Sequence, residues 1–288
     1  MINQPLLNGL QIVCAGAIAT VTFDNPPLNL MDQILIDSLD HLGRWLDQDE
    51  TLKVVVFASA NPDFFIAHAD LRMLASMPRS IGPKSSHPSA HQQVIGRFQT
   101  LPQVTIGKLE GIARGGGSEF LLALDMRFGA IGRAILSQPE VALGFPPGCG
   151  ATQRLPRLIG RSNALEAILG CADYSANEAE KVGWLNRALP ADELGAFVDQ
   201  LASRIASFPR TAILAAKSAI AAAESPLHDG LCDEFMAFRI AYGSADAQVR
   251  VDRALQRGFQ TKELEAGPLE NWLAGLAEDQ EHQGRISA

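Results

Sequence analysis

Cysteine is scarce in this sequence. Its four cysteines, Cys14, Cys149, Cys171 and Cys232, stand far apart and form no C-x-x-C pair. That spacing builds neither a zinc site nor a disulfide framework, and it suits a reducing compartment. Metal motifs are missing too: the six histidines are scattered and no H-E-x-x-H occurs. The two common phosphate cradles, G-x-x-x-x-G-K-[ST] and a G-x-G-x-x-G after a strand, are absent, as is the G-x-S-x-G elbow of a nucleophilic serine. No apolar run approaches the roughly 20 residues of a membrane span. The N-terminus lacks a basic segment leading into an apolar core, so no signal peptide is read there. No basic run is present either. Lys plus Arg totals 24 against 32 for Asp plus Glu, a net charge of -8, which makes nucleic acid and anionic membrane poor partners. The expectation is a cytoplasmic globular protein with no metal.

What is present is an ordinary enzyme-like composition. Apolar residues make up 47% of the 288 residues and charged residues 19%. A chain of that kind buries a full core without staples. Its first half alternates strand-like and helix-like segments. Ala17 to Phe23, Lys53 to Ser59, Gln103 to Leu109 and Ala134 to Ser137 read as strands. Leu35, Leu39, Leu42 and Leu46 step along one face of a helix, and Gly115 to Leu124 reads as a helix entered through glycines. Such alternation favours an α/β fold with parallel pairing. Beyond about Arg161 the chain turns helical: Ser162 to Leu169, Ser175 to Val182, Ala191 to Ser207, Thr211 to Ala223, and Leu231 to Phe259 with a break near Gly243. One short strand, Trp184 to Leu189, interrupts them. The reading divides the chain into an α/β core over 1–207 and a helical C-terminal region over 208–288. Pro78 to Ser89 and the tail after Gln260 are expected to be mobile.

Three local patterns could carry chemistry. In the first, Gly115-Gly116-Gly117-Ser118-Glu119 opens an apolar helix. Residues without side chains let a ligand reach the N–H groups of a helix start, where developing negative charge is favoured. Glu119 lies in that first turn. The same glycines also suit tight packing of helix on strand, with Glu119 as an ordinary helix charge. In the second, Ser137-Gln138-Pro139-Glu140 leads into a loop rich in Gly and Pro that includes Pro147 and Gly148. A carboxylate just past a strand is a usual place for a catalytic group, though an exposed loop acid would look the same. In the third, Asn61-Pro62-Asp63-Phe64-Phe65-Ile66-Ala67-His68-Ala69-Asp70-Leu71 could present a second N–H facing the first, or be a plain connection with Asp70 capping the next helix.

In this order and spacing the three patterns resemble the crotonase superfamily and, within it, enoyl-CoA hydratase. Gly148-Cys149-Gly150-Ala151-Thr152-Gln153-Arg154-Leu155 is similar to the family's glycine loop and T-Q-R-L, and Asn25-Pro26-Pro27-Leu28-Asn29 to its N-P-x-x-N turn. The resemblance implies an α/β crotonase-like spiral of β-α turns with a helical C-terminal part, assembled as a trimer or dimer of trimers. It implies a coenzyme A thioester as substrate, with coenzyme A part of that substrate and no separate cofactor. Carried across, the oxyanion hole is the N–H of Ala69 with that of Gly116, and the catalytic pair is Glu119 and Glu140. Ala67, His68, Asp70, Leu71, Pro147 and Gly148 fall on substrate-binding positions. Hydration of a 2-enoyl-CoA is the leading activity. An isomerase, a hydratase–lyase, a dehydratase or a non-catalytic acyl-CoA-binding homologue on the same scaffold remain alternatives.

The sequence departs from the family in three places. His68 stands where relatives have glycine, a place where a histidine at positive φ would be uncommon. Its ring is expected to pack on the Phe64/Phe65 loop or to face solvent, the alternative being contact with the coenzyme A or acyl part or titration beside the thioester. Ser244 to Arg250 loses the Glu-Gly pair of the relatives' S-x-D-x-x-E-G, and the tail past Gln260 is longer than theirs.

Overall fold

Two sheets share the strands, and the chain alternates between them. The computed structural model describes residues 4–77, 82–221, 228–267, 269, 272 and 276. Among these, β1 (Leu10–Ala15) and β2 (Ile18–Phe23) form an antiparallel hairpin turning at Gly16, whose φ of 59° favours glycine. The other strands are β3 (Val54–Ser59), β4 (Phe64–Ile66), β5 (Val104–Leu109), β6 (Ile112–Arg114), β7 (Met126–Ala130), β8 (Ile135–Ser137), β9 (Tyr174–Ser175) and β10 (Arg187–Leu189). The larger sheet runs β1-β2-β3-β5-β7-β10 and is parallel from β2 onward. The smaller runs β4-β6-β8-β9, parallel until β9. Each pass of the chain therefore lays one strand in the large sheet and the next in the small one: β3 then β4, β5 then β6, β7 then β8. Stacked passes of this kind make the expected spiral.

Helices fill the crossovers that parallel pairing requires. They are α1 (Gln33–Gln48), α2 (Leu71–Ala75), α3 (Ala90–Thr100), α4 (Gly116–Leu122), α5 (Ala151–Ile159), α6 (Arg161–Gly170) and α7 (Ala176–Val182). Then follow α8 (Ala191–Ala206), α9 (Arg210–Ala221), α10 (His228–Tyr242), α11 (Ala245–Gln256) and α12 (Lys262–Glu265). In α1 the four stepped leucines are all buried, and Asp32 caps the helix by accepting the Leu35 N–H at 2.8 Å. No described helix is long and apolar enough to cross a membrane.

Helix α4 sits at the centre. All seven of its residues are buried. Phe120 is ringed by Phe23, Phe57 and Phe98 with centroids 5.1–5.5 Å away, an edge-to-face cluster that pins the helix on the large sheet. Arg127 closes its C-terminal end, donating to Leu121 O at 3.3 Å within the last turn and to Leu124 O at 2.7 Å just beyond it.

Four expectations need correction or completion. β1, β4, β6, β7 and β9 carry too little periodicity to be read from sequence: β4 and β6 are three residues long, β9 is two, and β1 is an edge strand with Val13 exposed. Of the stretch Pro78 to Ser89, residues 78–81 lie outside the described residues, and Ser89 forms a capping box with Gln92 at the start of α3. The tail after Gln260 is not simply a mobile appendage. Its residues 261–267 include α12, and Glu265 there is fully buried. Residues 222–227, 268, 270, 271, 273–275 and 277–288 lie outside the described residues, so the end of the helix expected to reach Ala223 is among them.

The closest approach of a glycine to another segment's backbone lies where α4 meets β4. A Cβ on Gly117 would stand 2.2 Å from the carbonyl oxygen of Ile66, and backbone cannot swing aside as a side-chain tip can. Gly117→Ala is expected to lower the free energy of unfolding by about 1–3 kcal/mol, the usual cost of overpacking, measured by urea denaturation. An unchanged midpoint would contradict the contact.

Candidate active site

A buried asparagine anchors the first segment of the site. Asn29, at φ 51°, donates from Nδ2 to Ser59 Oγ (2.9 Å), Phe64 O (3.3 Å) and Phe65 O (3.1 Å), while its Oδ1 accepts the Asn25 N–H at 2.8 Å. The N-P-x-x-N turn is thus tied to β4, which feeds the segment Ala67–Asp70. Met31 N–H donates to His68 O and Asp70 N–H to Met31 O, holding Ala69 between them. Asp70 caps α2 through the Arg72 N–H at 2.8 Å. Ala67 is fully buried, and Leu71 packs with Leu143 and Phe145 in the C-terminal core.

The second segment is the glycine run. Gly115 has φ 46°, and a Cβ there would fall 2.6 Å from Glu140 Oε1, so both conformation and space call for glycine. A Cβ on Gly116 would lie 3.3 Å from Ala69 Cβ and 3.4 Å from Ala69 N, which sets the two backbones side by side. Gly116 is the first residue of α4, so its N–H has no partner within the helix.

Three carboxylates are buried around this point. Glu119, 2% exposed, accepts the N–H groups of Cys149 (2.8 Å) and Ala151 (3.0 Å) on Oε1. Burial raises its pKa, opposed by those bonds and by Arg154. Glu140, 8% exposed, opens the short turn Glu140–Leu143, and its Oε2 has no hydrogen-bond partner among the described residues. Burial first, and then the Glu119 charge, hold its pKa well above the ordinary carboxylate range. Glu234 of α10 accepts the Thr152 N–H (2.8 Å), the Thr152 hydroxyl and Gln92 Nε2 (3.1 Å). Burial and the Glu119 charge push its pKa up to about 8. Cys149 lies among the three acids, and burial plus their charges keep it a thiol.

Ala69, Gly116, Glu119 and Glu140 line one cavity of about 50 Å³, closed by Phe145, Phe235 and Phe238. Gly148 lines it as well, with the Phe238 ring 3.1 Å from where a Cβ would be. Ala67, Asp70, Leu71 and Pro147 are not in this lining. A larger groove of about 1080 Å³, bordered by Asp47, Glu50, Arg210 and Lys217, contains none of the paired glutamates. Its Lys217 is already bonded to Asp125 at 2.6 Å. Among the described residues no group of three His, Cys, Asp or Glu could hold a metal ion.

His68 departs from expectation. Its backbone is not at positive φ, so the side chain costs no strain there. The ring is 3% exposed and turned away from the Phe64/Phe65 loop and from solvent. Nε2 lies 2.7 Å from Glu265 Oε1, Nδ1 lies 2.8 Å from Ala69 O, and the ring stacks on Phe259 at 4.7 Å. Burial works against its charge, but the Glu265 carboxylate outweighs this and raises the pKa. His68 is absent from the lining of the cavity that Glu119 and Glu140 share, but with Ala69, Leu71 and Glu140 it borders an adjoining one of about 30 Å³. Sequence reading missed Glu234, Glu265 and the Arg114–Asp173 pair. In sequence each resembles a solvated charge, and its burial depends on contacts 59 to 197 residues away.

Comparison with known proteins identifies the family. The family model described as enoyl-CoA hydratase/isomerase matches residues 14–254. The chain is 31% identical over 215 residues to the short-chain-enoyl-CoA hydratase of Clostridium acetobutylicum, covering 74% of this chain and 81% of that protein. A solved Streptomyces avermitilis protein, provisionally named enoyl-CoA hydratase, superposes with a TM-score of 0.86 at 39% identity, over 94% of this chain and 98% of that one. The Bacillus anthracis enoyl-CoA hydratase superposes with a TM-score of 0.69 at 28% identity, over 87% of this chain and 96% of that one. The family match contains every residue that lines the cavity, and the chain belongs to the enoyl-CoA hydratase/isomerase family.

Proposed function

We propose that this protein adds water across the double bond of a 2-enoyl-CoA thioester to give a 3-hydroxyacyl-CoA. One observation carries the reading: two buried glutamates, Glu119 and Glu140, share a cavity with the adjacent backbones of Ala69 and Gly116. Attack of water at C3 drives electrons onto the thioester oxygen as an enolate. Two N–H groups fixed at that oxygen lower the barrier by about 3–4 kcal/mol each. The hydroxyl joins C3, and C2 takes a proton as the enolate collapses. Two acids that repel one another and share a proton can do both tasks. Hydrogen bonds to Glu119 favour its charged form, so it takes the proton of the water. Glu140, whose Oε2 has no partner and whose pKa is raised, carries the proton given to C2. Coenzyme A belongs to the substrate, and no separate cofactor enters.

The presence of both acids favours hydration over a simple double-bond shift, in which one acid suffices. For the assembly we propose a trimer or a pair of trimers. The resemblance supports this, and α9 adds to it: none of its residues is fully buried, and Ile220 is 70% exposed. Light scattering should return three or six times 30.9 kDa, and an active monomer would overturn it.

Loss of the conjugated enoyl absorbance measures turnover. Glu119→Gln and Glu140→Gln should each lower kcat by at least about a hundredfold, general acid–base catalysis being worth about 10²–10⁴, with folding intact. Near wild-type turnover in either variant removes that residue's role. Stability should move the other way. A carboxyl whose folded pKa is raised contributes stability below its unfolded pKa, near 4.5, and loses it as pH rises through the folded value. Glu140→Gln lacks this loss. Its melting temperature relative to wild type should therefore climb as pH goes from 4.5 to 8, and a constant difference would contradict the burial argument.

A further inference from the structure

Two charged side chains flank the proposed oxyanion donors in sequence, and both reach the same carboxylate from outside the lining of the Glu119–Glu140 cavity. His68 directly precedes Ala69, and Arg114 precedes Gly115-Gly116. Both converge on Glu265, which is fully buried in the C-terminal segment. Glu265 Oε1 lies 2.7 Å from His68 Nε2. The His68 Nδ1 faces the Ala69 carbonyl, so both ring nitrogens face acceptors and both must donate. Arg114, 1% exposed, donates from Nη1 to the Glu265 backbone oxygen at 2.8 Å and stands 3.5 Å from its Oε2. The rest of the guanidinium is held by Asp173 at 2.5 and 2.8 Å and by Gly267 O at 3.0 Å. Two cations and two carboxylates thus balance inside the protein, as burial requires.

The same segment grips the far side of Ala69. Gln260 Nε2 donates to Asp70 Oδ1 at 3.0 Å, and the Gln260 N–H donates to Glu265 Oε1 at 2.9 Å. Phe259 stacks on the His68 ring and in turn on Trp272 at 5.2 Å. Residues on both sides of one donor, and the residue leading into the other, are therefore tied to one short stretch of chain.

We infer that Glu265 is a positioning residue for the oxyanion hole, fixing the spacing of the Ala69 and Gly116 N–H groups through His68 and Arg114. The inference rests on the hydratase reading above. The mechanism needs such a tie: two backbone donors on separate loops lower a barrier only when held at the oxygen, and a misplacement of about 1 Å can cost about a hundredfold in rate.

The test uses the full chain and butyryl-CoA carrying ¹³C at the thioester carbonyl, a saturated probe that cannot be hydrated. Polarisation by two N–H donors lowers the infrared frequency of its carbonyl stretch on binding. In Glu265→Ala the shift should shrink to less than about half, and kcat for crotonyl-CoA should fall by about thirtyfold or more, with KM within a few-fold. Glu265→Gln keeps an oxygen for His68 and Gln260 and should recover most of both. A wild-type shift and rate in Glu265→Ala would overturn the inference, as would a glutamine variant no better than alanine. Should the alanine variant lack a cooperative melt, His68→Ala cuts the same tie from the loop side. A lost shift in folded His68→Ala then supports the inference, and a full shift overturns it. Wild-type protein that neither hydrates nor shifts the probe overturns the hydratase reading itself, an outcome distinct from a shift surviving in Glu265→Ala.

Discussion

The contact between α4 and the end of β4 organises the molecule. Gly117 lies so near the Ile66 carbonyl that no side chain fits, and Gly116 comes up against Ala69. Phenylalanines from β2, β3 and α3 press the helix from the other side through Phe120. Once this approach is fixed, the positions of the two adjacent backbones and of Glu119 follow from helical geometry, because Glu119 lies within the first turn. The glycine run thus serves both readings open at the level of sequence: it packs a helix tightly, and the tight packing is what assembles the cavity.

Burying several carboxylates at one place is costly, and the protein meets the cost unequally. Glu265 has His68 and Arg114 as counter-charges, and its pKa is lowered despite burial. Glu119 has two backbone N–H groups, and Glu234 has Thr152 and Gln92. Glu140 has the least support and the largest reason to hold a proton. Within the cavity, Glu119 with its two N–H donors and Glu140 with one unpartnered oxygen are thus held in different surroundings.

Much of this was legible in the sequence, and what was not has a common cause. The stepped leucines of α1, the buried run of β3 and the break near Gly243 carry local signals of period or punctuation. Glu119 and Glu140 stood out because each adjoins a glycine run or a strand end, features set by neighbours in the chain. β4 and β6 were invisible because three residues hold no period, although both help frame the cavity. Glu234 and Glu265 look like solvated helix charges, and only packing against segments 82 and 197 residues away buries them. For the same reason the orientation of His68 could not be read from its neighbours.

The central claim is net addition of water, with the hydroxyl on C3 and the proton on C2. Turnover of crotonyl-CoA in a mixture of H₂¹⁸O and D₂O, followed by mass analysis of the product, tests it directly. The account requires a 3-hydroxybutyryl-CoA that carries one ¹⁸O at C3 and one deuterium at C2. A product that gains deuterium without oxygen, with its double bond moved, would contradict hydration and make this protein an isomerase on the same scaffold.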